Sequence, residues 1–214
     1  MSTVKFRLYL LALAALISAS SFAQTPGSEA APSKLSGHVA ALEKKARAGD
    51  TKAQLRLGIA FEFGEGVAKN LDEAARWYRI AADRGDPVAQ TNLAYLYENG
   101  GASLRDPAEA AKWYMRAAVS GFARAEFNLG TLYLQGTGVE RSDEEAAHWI
   151  GLAADAGCPT ALAALGYLYA NGKGVPHDPR KAADLMQKSA KKSDANSCAR
   201  FKPQPADSVI AERR

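Results

Sequence analysis

The chain has 214 residues, of which 27 are Lys or Arg and 23 are Asp or Glu, so its formal net charge is +4. Removal of an N-terminal leader, predicted below, would take away two basic residues and leave a net charge of +2. A charge this small gives no reason to expect a nucleic acid or an anionic membrane surface as the partner. The three histidines are scattered and show no metal-ligand spacing, so we expect neither a metal nor another cofactor.

The first residues have the pattern of a secretory signal peptide. Lys5 and Arg7 precede an apolar run from Leu8 to Ile17, and Ser21-Phe22-Ala23 then supplies small residues for cleavage. The run is much shorter than the roughly 20 residues needed to span a bilayer, which disfavours an uncleaved anchor. We therefore predict a signal peptide over 1–23, a periplasmic or secreted mature protein, and no integral membrane span after cleavage.

Residues 24–36 are rich in Pro, Gly, Ser and Ala and are predicted to be a flexible linker. Residues 37–52 contain Ala41-Leu42, which align 36 residues before Trp77-Tyr78, and are predicted to form a lone N-terminal capping helix. At the other end, 197–214 is predicted to be a largely flexible tail.

Between these ends the sequence repeats every 36 residues. Ala53, Ala89, Ala125 and Ala161 open the blocks, with Leu four residues later and an aromatic residue eight later. We count positions in each repeat from this alanine as position 0 and place the repeats at 53–88, 89–124, 125–160 and 161–196. A fixed period of this size predicts an α-solenoid of antiparallel helix pairs.

The first helix of each pair carries Gly at position 5 in three repeats: Gly58, Gly130 and Gly166. Because Gly destabilises a helix interior by roughly 1 kcal/mol relative to Ala, its recurrence predicts close approach by another helix. Gly-x-Gly follows the first helix in repeats 1, 3 and 4. Since it follows a helix and not a strand, it predicts a turn and not a phosphate-binding loop.

The second helix begins at a residue typical of an N-cap, namely Asn70, Asp106, Ser142 or Asp178. Glu stands three residues later in repeats 1 to 3, at the spacing of a capping box. Trp77, Trp113 and Trp149 follow, with paired alanines on either side. Large aromatic residues beside small ones indicate interdigitated helices, so we interpret these tryptophans as core.

The pattern A-x-x-x-L-G-x-x-Y-x-x-G-x-G-V, then D-x-x-x-A-x-x-W-Y-x-x-A-A-x-x-G, resembles the Sel-one-like repeat family, a subclass of tetratricopeptide-type helical repeats. It is matched most fully by 125–157 and 53–85. The resemblance implies an all-α, right-handed solenoid that binds or scaffolds other proteins. Repeat 4 replaces Trp-Tyr by Leu185-Met186 and is predicted to be a C-terminal cap.

The first helices are expected to line the concave face of such a solenoid. Polar and aromatic residues at positions 3, 6 and 10 then predict a protein-binding stripe. Its residues are Arg56, Asn92, Tyr95, Asn99, Asn128, Thr131, Gln135, Tyr167 and Asn171. A structural alternative stays open: Asn92 and Asn128 would bridge adjacent helices, and Asn99 and Asn171 would cap their own helices.

The two cysteines, Cys158 and Cys198, are candidates for a disulfide in an oxidising compartment. A bond requires Cα atoms within about 7 Å, so the tail would have to fold back. Two separate thiols are the alternative.

Catalysis has one weak signal. Ser189-Ala190-Lys191-Lys192 matches the S-x-x-K of β-lactamases and penicillin-binding proteins, but no Lys-Thr-Gly accompanies it. We therefore predict a non-catalytic scaffold or regulator of the bacterial cell envelope that binds another protein or peptide. An envelope enzyme of β-lactamase or penicillin-binding type is one alternative, and a secreted factor that binds a host protein is another.

Overall fold

The computed structural model describes residues 36–191. Within this range the chain forms nine α-helices and no strand, which confirms the predicted all-α class. The helices are α1 Gly37–Arg47, α2 Thr51–Phe63, α3 Leu71–Asp83, α4 Pro87–Asn99, α5 Pro107–Val119, α6 Ala123–Gln135, α7 Asp143–Asp155, α8 Pro159–Asn171 and α9 Pro179–Lys191. The predicted signal peptide, all but the last residue of the predicted linker, and the predicted tail lie outside the described residues.

Each helix packs mainly on its neighbours in the chain, so the fold is an α-solenoid of helix pairs, as predicted. The first helices of the four repeats are α2, α4, α6 and α8, and the second helices are α3, α5, α7 and α9. Helix α1 precedes them and buries Val39 and Ala46 in one cluster with Leu57 and Trp77.

The predicted N-caps of the second helices are confirmed. The Asn70 side-chain oxygen accepts from the backbone N–H groups of Asp72 and Glu73 at 3.0 and 3.1 Å. The side chains of Asp106, Ser142 and Asp178 accept from N–H groups of their own helices in the same way. These caps fix where each second helix begins.

The capping-box prediction, by contrast, is wrong. A capping box needs the N-cap N–H to bond the glutamate three residues later, but that N–H already donates to the preceding helix. The Asn70 N–H reaches the Phe61 carbonyl at 2.8 Å. The same bond joins Asp106 to Tyr97, Ser142 to Tyr133 and Asp178 to Tyr169. Each repeat is thereby closed by a backbone hydrogen bond from the start of its second helix to its first helix.

Glycines mark the close contacts. A Cβ added at Gly58 would lie 2.5 Å from the Tyr78 ring, and one at Gly130 would lie 2.6 Å from Ile150 Cγ1. The predicted close approach at position 5 is therefore confirmed.

The turn glycines also connect neighbouring repeats. Gly138 has a φ of +72° and packs so tightly on the first residue of α5 that a Cβ would collide with the Pro107 carbonyl. Gly174 packs in the same way on Asp143 at the start of α7. In repeat 2 the loop differs, since nothing lies within 4 Å of a Cβ built on Gly101, and Ala102 is exposed.

Candidate protein-binding surface

The predicted stripe lies on helices α2, α4, α6 and α8, whose exposed and half-buried side chains we call the first-helix surface. Its residues do not share one environment. Arg56, Asn99, Gln135, Tyr167 and Asn171 are exposed; Tyr95, Asn128 and Thr131 are half-buried; Asn92 is buried. Tyr167 is 50% exposed, and Phe63 on the same surface is 45% exposed. The first-helix surface therefore presents large aromatic side chains together with amides.

Several polar groups of the stripe bond to their own helix. The Asn171 amide donates to the Tyr167 carbonyl at 2.8 Å, and the Asn99 amide donates to the Tyr95 carbonyl at 3.4 Å. The Thr131 hydroxyl donates to the Phe127 carbonyl at 3.0 Å. The bonds of Asn99 and Asn171 are those that the helix-capping alternative describes. All three side chains nevertheless remain exposed or half-buried.

Asn92 and Asn128 lie at the junctions between repeats. Asn92 is on α4, and its amide lies against the hydroxyl of Tyr78 on the preceding helix α3. Asn128 on α6 lies likewise against Tyr114 on α5. Both asparagines therefore have the bridging environment that the structural alternative describes.

Each of these tyrosines donates to a glutamate on the first helix of its own repeat. Tyr78 Oη donates to Glu62 Oε2 at 2.6 Å, and Tyr114 Oη donates to Glu98 Oε2 at 2.9 Å. We call the two sets polar junction clusters; they are Glu62–Tyr78–Asn92 and Glu98–Tyr114–Asn128. Their glutamates belong to the first-helix surface and are half-buried.

Burial, reinforced by the adjacent glutamate, raises the pKa of Tyr78 and of Tyr114 well above its ordinary value. Both hydroxyls therefore remain protonated donors at any physiological pH. A carboxylate that accepts such a bond is held in one orientation.

The third junction has no such polar set. Leu134, Ile150 and Ala164 occupy the positions of the glutamate, the tyrosine and the asparagine, and Ile150 is fully buried. Glu62 and Glu98 are surface groups that the helical pattern of the sequence does not single out. The available signal was that Glu at position 9 and Tyr at position 25 occur in the same two repeats and are lost together in the third.

Basic residues lie toward the other end of the first helices. Lys52 and Arg56 are exposed, and Arg124 is half-buried on α6. Burial lowers the pKa of Arg124, whose guanidinium also lies 5.5 Å from the Phe122 ring centre. Because a helix rises about 1.5 Å per residue, Glu62 lies about 9 Å along α2 from Arg56. The first-helix surface therefore carries basic residues toward one end, namely Lys52, Arg56 and Arg124, and the glutamates Glu62 and Glu98 toward the other.

The tryptophans belong to the core and to the second-helix side. Trp77 and Trp113 are buried and Trp149 is half-buried, in agreement with their interpretation as packing residues. The Arg116 guanidinium lies 4.4 Å from the Trp113 ring centre and Arg79 lies 5.9 Å from it. These two arginines stack on Trp113 from the second helices α3 and α5.

The remaining candidates lie near the C-terminal repeat. Cys158 is buried at the N-cap of α8, with its Sγ 3.1 Å from the Thr160 hydroxyl. Cys198 lies outside the described residues, so the disulfide stays a prediction.

The Ser189 hydroxyl donates to the Pro159 carbonyl at 2.7 Å, which is a packing contact between α9 and α8. Lys192 of the S-x-x-K match lies outside the described residues.

Across residues 36–191, no group of three or more His, Cys, Asp and Glu side chains is arranged to hold a metal ion. None of the helices in that range is both long and apolar enough to cross a bilayer.

Comparison with known proteins identifies the repeat. The sequence profile described as Sel1 repeat matches four segments, at residues 51–86, 87–121, 123–158 and 159–194. A comparison with curated protein sequences gives no match.

Two solved structures share both sequence and fold with the chain. One is a protective antigen of uropathogenic Escherichia coli strains that displays an SLR fold, with 36% identity and a TM-score of 0.70. The other is a Sel1 repeat protein from Oxalobacter formigenes, with 34% identity and a TM-score of 0.65. The matches cover 75% and 70% of this chain but only 34% and 43% of those chains. The chain thus spans less than half the length of either protein.

Proposed function

Because this chain belongs to the Sel1 repeat family, whose members generally mediate protein–protein interaction, we propose that it is a non-catalytic binding protein of the bacterial cell envelope. It binds a partner protein or peptide through the first-helix surface. The location rests on the signal-peptide pattern of 1–23.

The observation that carries the proposal is the exposure of aromatic residues on the first-helix surface. Phe63 and Tyr167 are 45% and 50% exposed and are accompanied by Asn99, Gln135 and Asn171. Exposed aromatic rings supply most of the binding energy in many interfaces, and amides can both donate to and accept from a peptide backbone. No comparable reason favours catalysis, since the Ser189 hydroxyl is engaged by the Pro159 carbonyl.

A secreted factor that binds a host protein is the second candidate. The observation in its favour is the 36% identity to a protective antigen of a pathogenic E. coli. Either role would use the same surface, and the two are distinguished by whether the partner comes from the bacterial envelope or from the host.

The binding surface is tested by affinity capture from envelope extract and from host-cell extract, with the mature chain as bait. The variant Phe63→Ala/Tyr167→Ala removes two exposed aromatic rings from the first-helix surface. Its matched control, Val119→Ala/Leu152→Ala, removes two exposed apolar side chains from the second helices. Helical content, measured by circular dichroism, should be unchanged in both.

We expect a partner captured by the wild type to be lost at least tenfold with the first variant and retained with the control. Loss with the control alone, or equal capture by all three proteins, would contradict the proposed surface. Intact mass of the protein recovered from the envelope fraction should correspond to a chain that begins at Gln24.

A further inference from the structure

Helix α9 exposes three apolar side chains on one side. They are Ala183, Met186 and Ala190, at positions 22, 25 and 29 of repeat 4. Met186 is 45% exposed, and both alanines are exposed as well. Spacings of three and four residues place all three on the same side of the helix, which we call the outer face of α9.

In the three earlier repeats, the next repeat covers these positions. The second helices α3, α5 and α7 pack directly on the first helices α4, α6 and α8. At the last of these junctions Ala147, Ile150 and Ala154 are all buried. They share one cluster with Ala161 and Leu165 of α8. The outer face of α9 therefore has the composition of a face that receives a first helix, whereas the end of a repeat array is ordinarily polar.

We propose that residues 195–202 form a short helix in the place of a fifth first helix, which docks on the outer face of α9 and closes the C-terminal end of the solenoid. The predicted flexible tail then begins at Pro203. This proposal does not rest on the protein-binding function proposed above, because it concerns the end of the array.

The chain reaches the outer face at the spacing of a new repeat. Helix α9 ends at Lys191, 36 residues after α7 ends at Asp155. Helix α8 begins at Pro159, so the same spacing places the start of a further first helix at residue 195. Residues 192–214 supply more chain than such a helix requires.

The residue before this segment is suited to begin a helix. Asp194 stands 36 residues beyond Cys158 and is equivalent to Asp50 and Asp86 of the first two repeats. Those two side chains cap α2 and α4 by accepting from the N–H groups three residues later, at 3.0 and 2.8 Å. Asp194 is therefore expected to cap the proposed helix in the same way.

Phe201 supplies the apolar anchor. It stands at position 4, where the first helices of all four repeats bury a leucine, namely Leu57, Leu93, Leu129 and Leu165. Pro203 follows at position 6. Because proline lacks an N–H group and disfavours helical geometry in the residue before it, the helix is limited to about two turns.

The tail fits the outer face better than a second copy of the chain does. A stable interface between two proteins buries about 1,200–2,000 Å² in total, far more than one methionine and two alanines provide. A segment joined to α9 by residues 192–194 has, by contrast, an effective concentration in the millimolar range. A helix this short is marginal in water by itself, so it should form only when it docks.

Hydrogen exchange of the wild-type mature chain tests the helix without any substitution. The backbone amides of residues 198–202 should exchange at least about tenfold more slowly than those of residues 206–212, because they would bond to carbonyls four residues earlier. Equally fast exchange in the two segments would overturn the proposed helix.

Peroxide oxidation of Met186, followed by peptide mass spectrometry, tests the docking. Met115 on α5 is half-buried and serves as the internal reference. Phe201→Asp should raise the oxidation rate of Met186 relative to Met115 at least about tenfold, because a carboxylate at position 4 opposes burial. The matched control Ile210→Asp adds the same charge beyond Pro203 and should leave this ratio within about twofold.

Equal ratios in the wild type and both variants would overturn the docking. The sedimentation coefficient and the protection of Met186 should also stay constant over about a hundredfold range of protein concentration, as an intramolecular contact requires. Protection that appears only together with a concentration-dependent dimer would overturn the tail as the occupant and identify a second copy of the chain instead.

Discussion

The junctions between repeats 1 and 2 and between repeats 2 and 3 are polar, whereas the junction between repeats 3 and 4 is apolar. The first two contain Tyr78 and Tyr114, each bonded to a glutamate. The third contains Ile150 between Leu134 and Ala164. One arrangement of helices thus accepts two chemically different sets of side chains. The difference indicates that backbone geometry is set elsewhere, by the caps and glycines, and that the junction side chains can serve another purpose.

The residue at position 1 also changes from polar to apolar along the chain. Gln54 and Gln90 donate to the carbonyls of Ala46 and Ala82 at 2.9 and 3.1 Å. Glu126 and Leu162 occupy this position in repeats 3 and 4 and are likewise buried. Buried hydrogen bonding therefore gives way to apolar packing from repeat 1 to repeat 4, and Glu126 stands where the change occurs.

The largest effect is expected from a methyl group added at the glycine of position 5. Gly130→Ala should lower the free energy of unfolding by about 3 kcal/mol, because its Cβ would press on Ile150 and on the Ala146 carbonyl. Gly58→Ala should lower the free energy of unfolding by only about 1 kcal/mol. Repeat 2, which contains Tyr114, already has an alanine at this position, Ala94. Urea denaturation measures both.

Gly151→Ala serves as the control, because nothing lies within 4 Å of its added Cβ. It should stabilise α7 by about 1 kcal/mol through helix propensity. If Gly58→Ala and Gly130→Ala lowered the free energy of unfolding equally, the packing at position 5 would be equally tight in the repeat with Tyr78 and in the repeat with Ile150.

A medium effect is expected when a charge is placed in the apolar junction. Leu134→Glu should destabilise the chain by about 2 kcal/mol, because the half-buried carboxylate would have no tyrosine donor. The triple variant Leu134→Glu/Ile150→Tyr/Ala164→Asn recreates a polar junction cluster and should recover at least half of that loss. Denaturation of the single, double and triple variants at pH 7 gives the coupling energy. If the triple variant lost as much free energy of unfolding as the three single variants together, the polar junction cluster would not have formed at the third junction.

The smallest effect concerns Glu126. It is 5% exposed, its Oε2 atom has no hydrogen-bond partner in the structure, and burial raises its pKa from the ordinary 4.5, an effect that the nearby His148 partly offsets. Between 4.5 and its raised pKa, the folded state binds more protons than the unfolded state, so stability falls as pH rises through this window.

Glu126→Gln restores the donor present at Gln54 and Gln90. It should raise the free energy of unfolding by about 1 kcal/mol at pH 7 and flatten its dependence on pH. Thermal unfolding between pH 4.5 and 7.5 measures this, with Glu140→Gln as an exposed control. An unchanged pH dependence in Glu126→Gln would contradict the raised pKa.

Much of the fold could be predicted from the sequence because the residues that recur at fixed repeat positions act on their immediate surroundings. Asn70 and its equivalents cap helices, and Gly58 and Gly130 allow close packing, wherever the next repeat lies. The polar junction clusters could not be found this way. They depend on contacts among position 9, position 25 and the next repeat, and helical periodicity within one segment contains no information on such contacts. For the same reason the sequence leaves Asn92 open between the binding stripe and a bridge to an adjacent helix, and in the structure the hydroxyl of Tyr78 lies beside it in the junction.

The loop between α4 and α5 has a consequence for how the array behaves as a whole. In repeats 3 and 4, Gly138 and Gly174 seat the turn on the preceding second helix, which joins successive repeats mechanically. Gly101 makes no such approach, and Ala102 beside it is exposed. In a linear array, cooperativity depends on the coupling between nearest neighbours. At the boundary between repeats 1 and 2 that coupling lacks the glycine seat of the later boundaries and depends on side-chain packing, in the cluster that joins Ile59 and Tyr78 to Leu93.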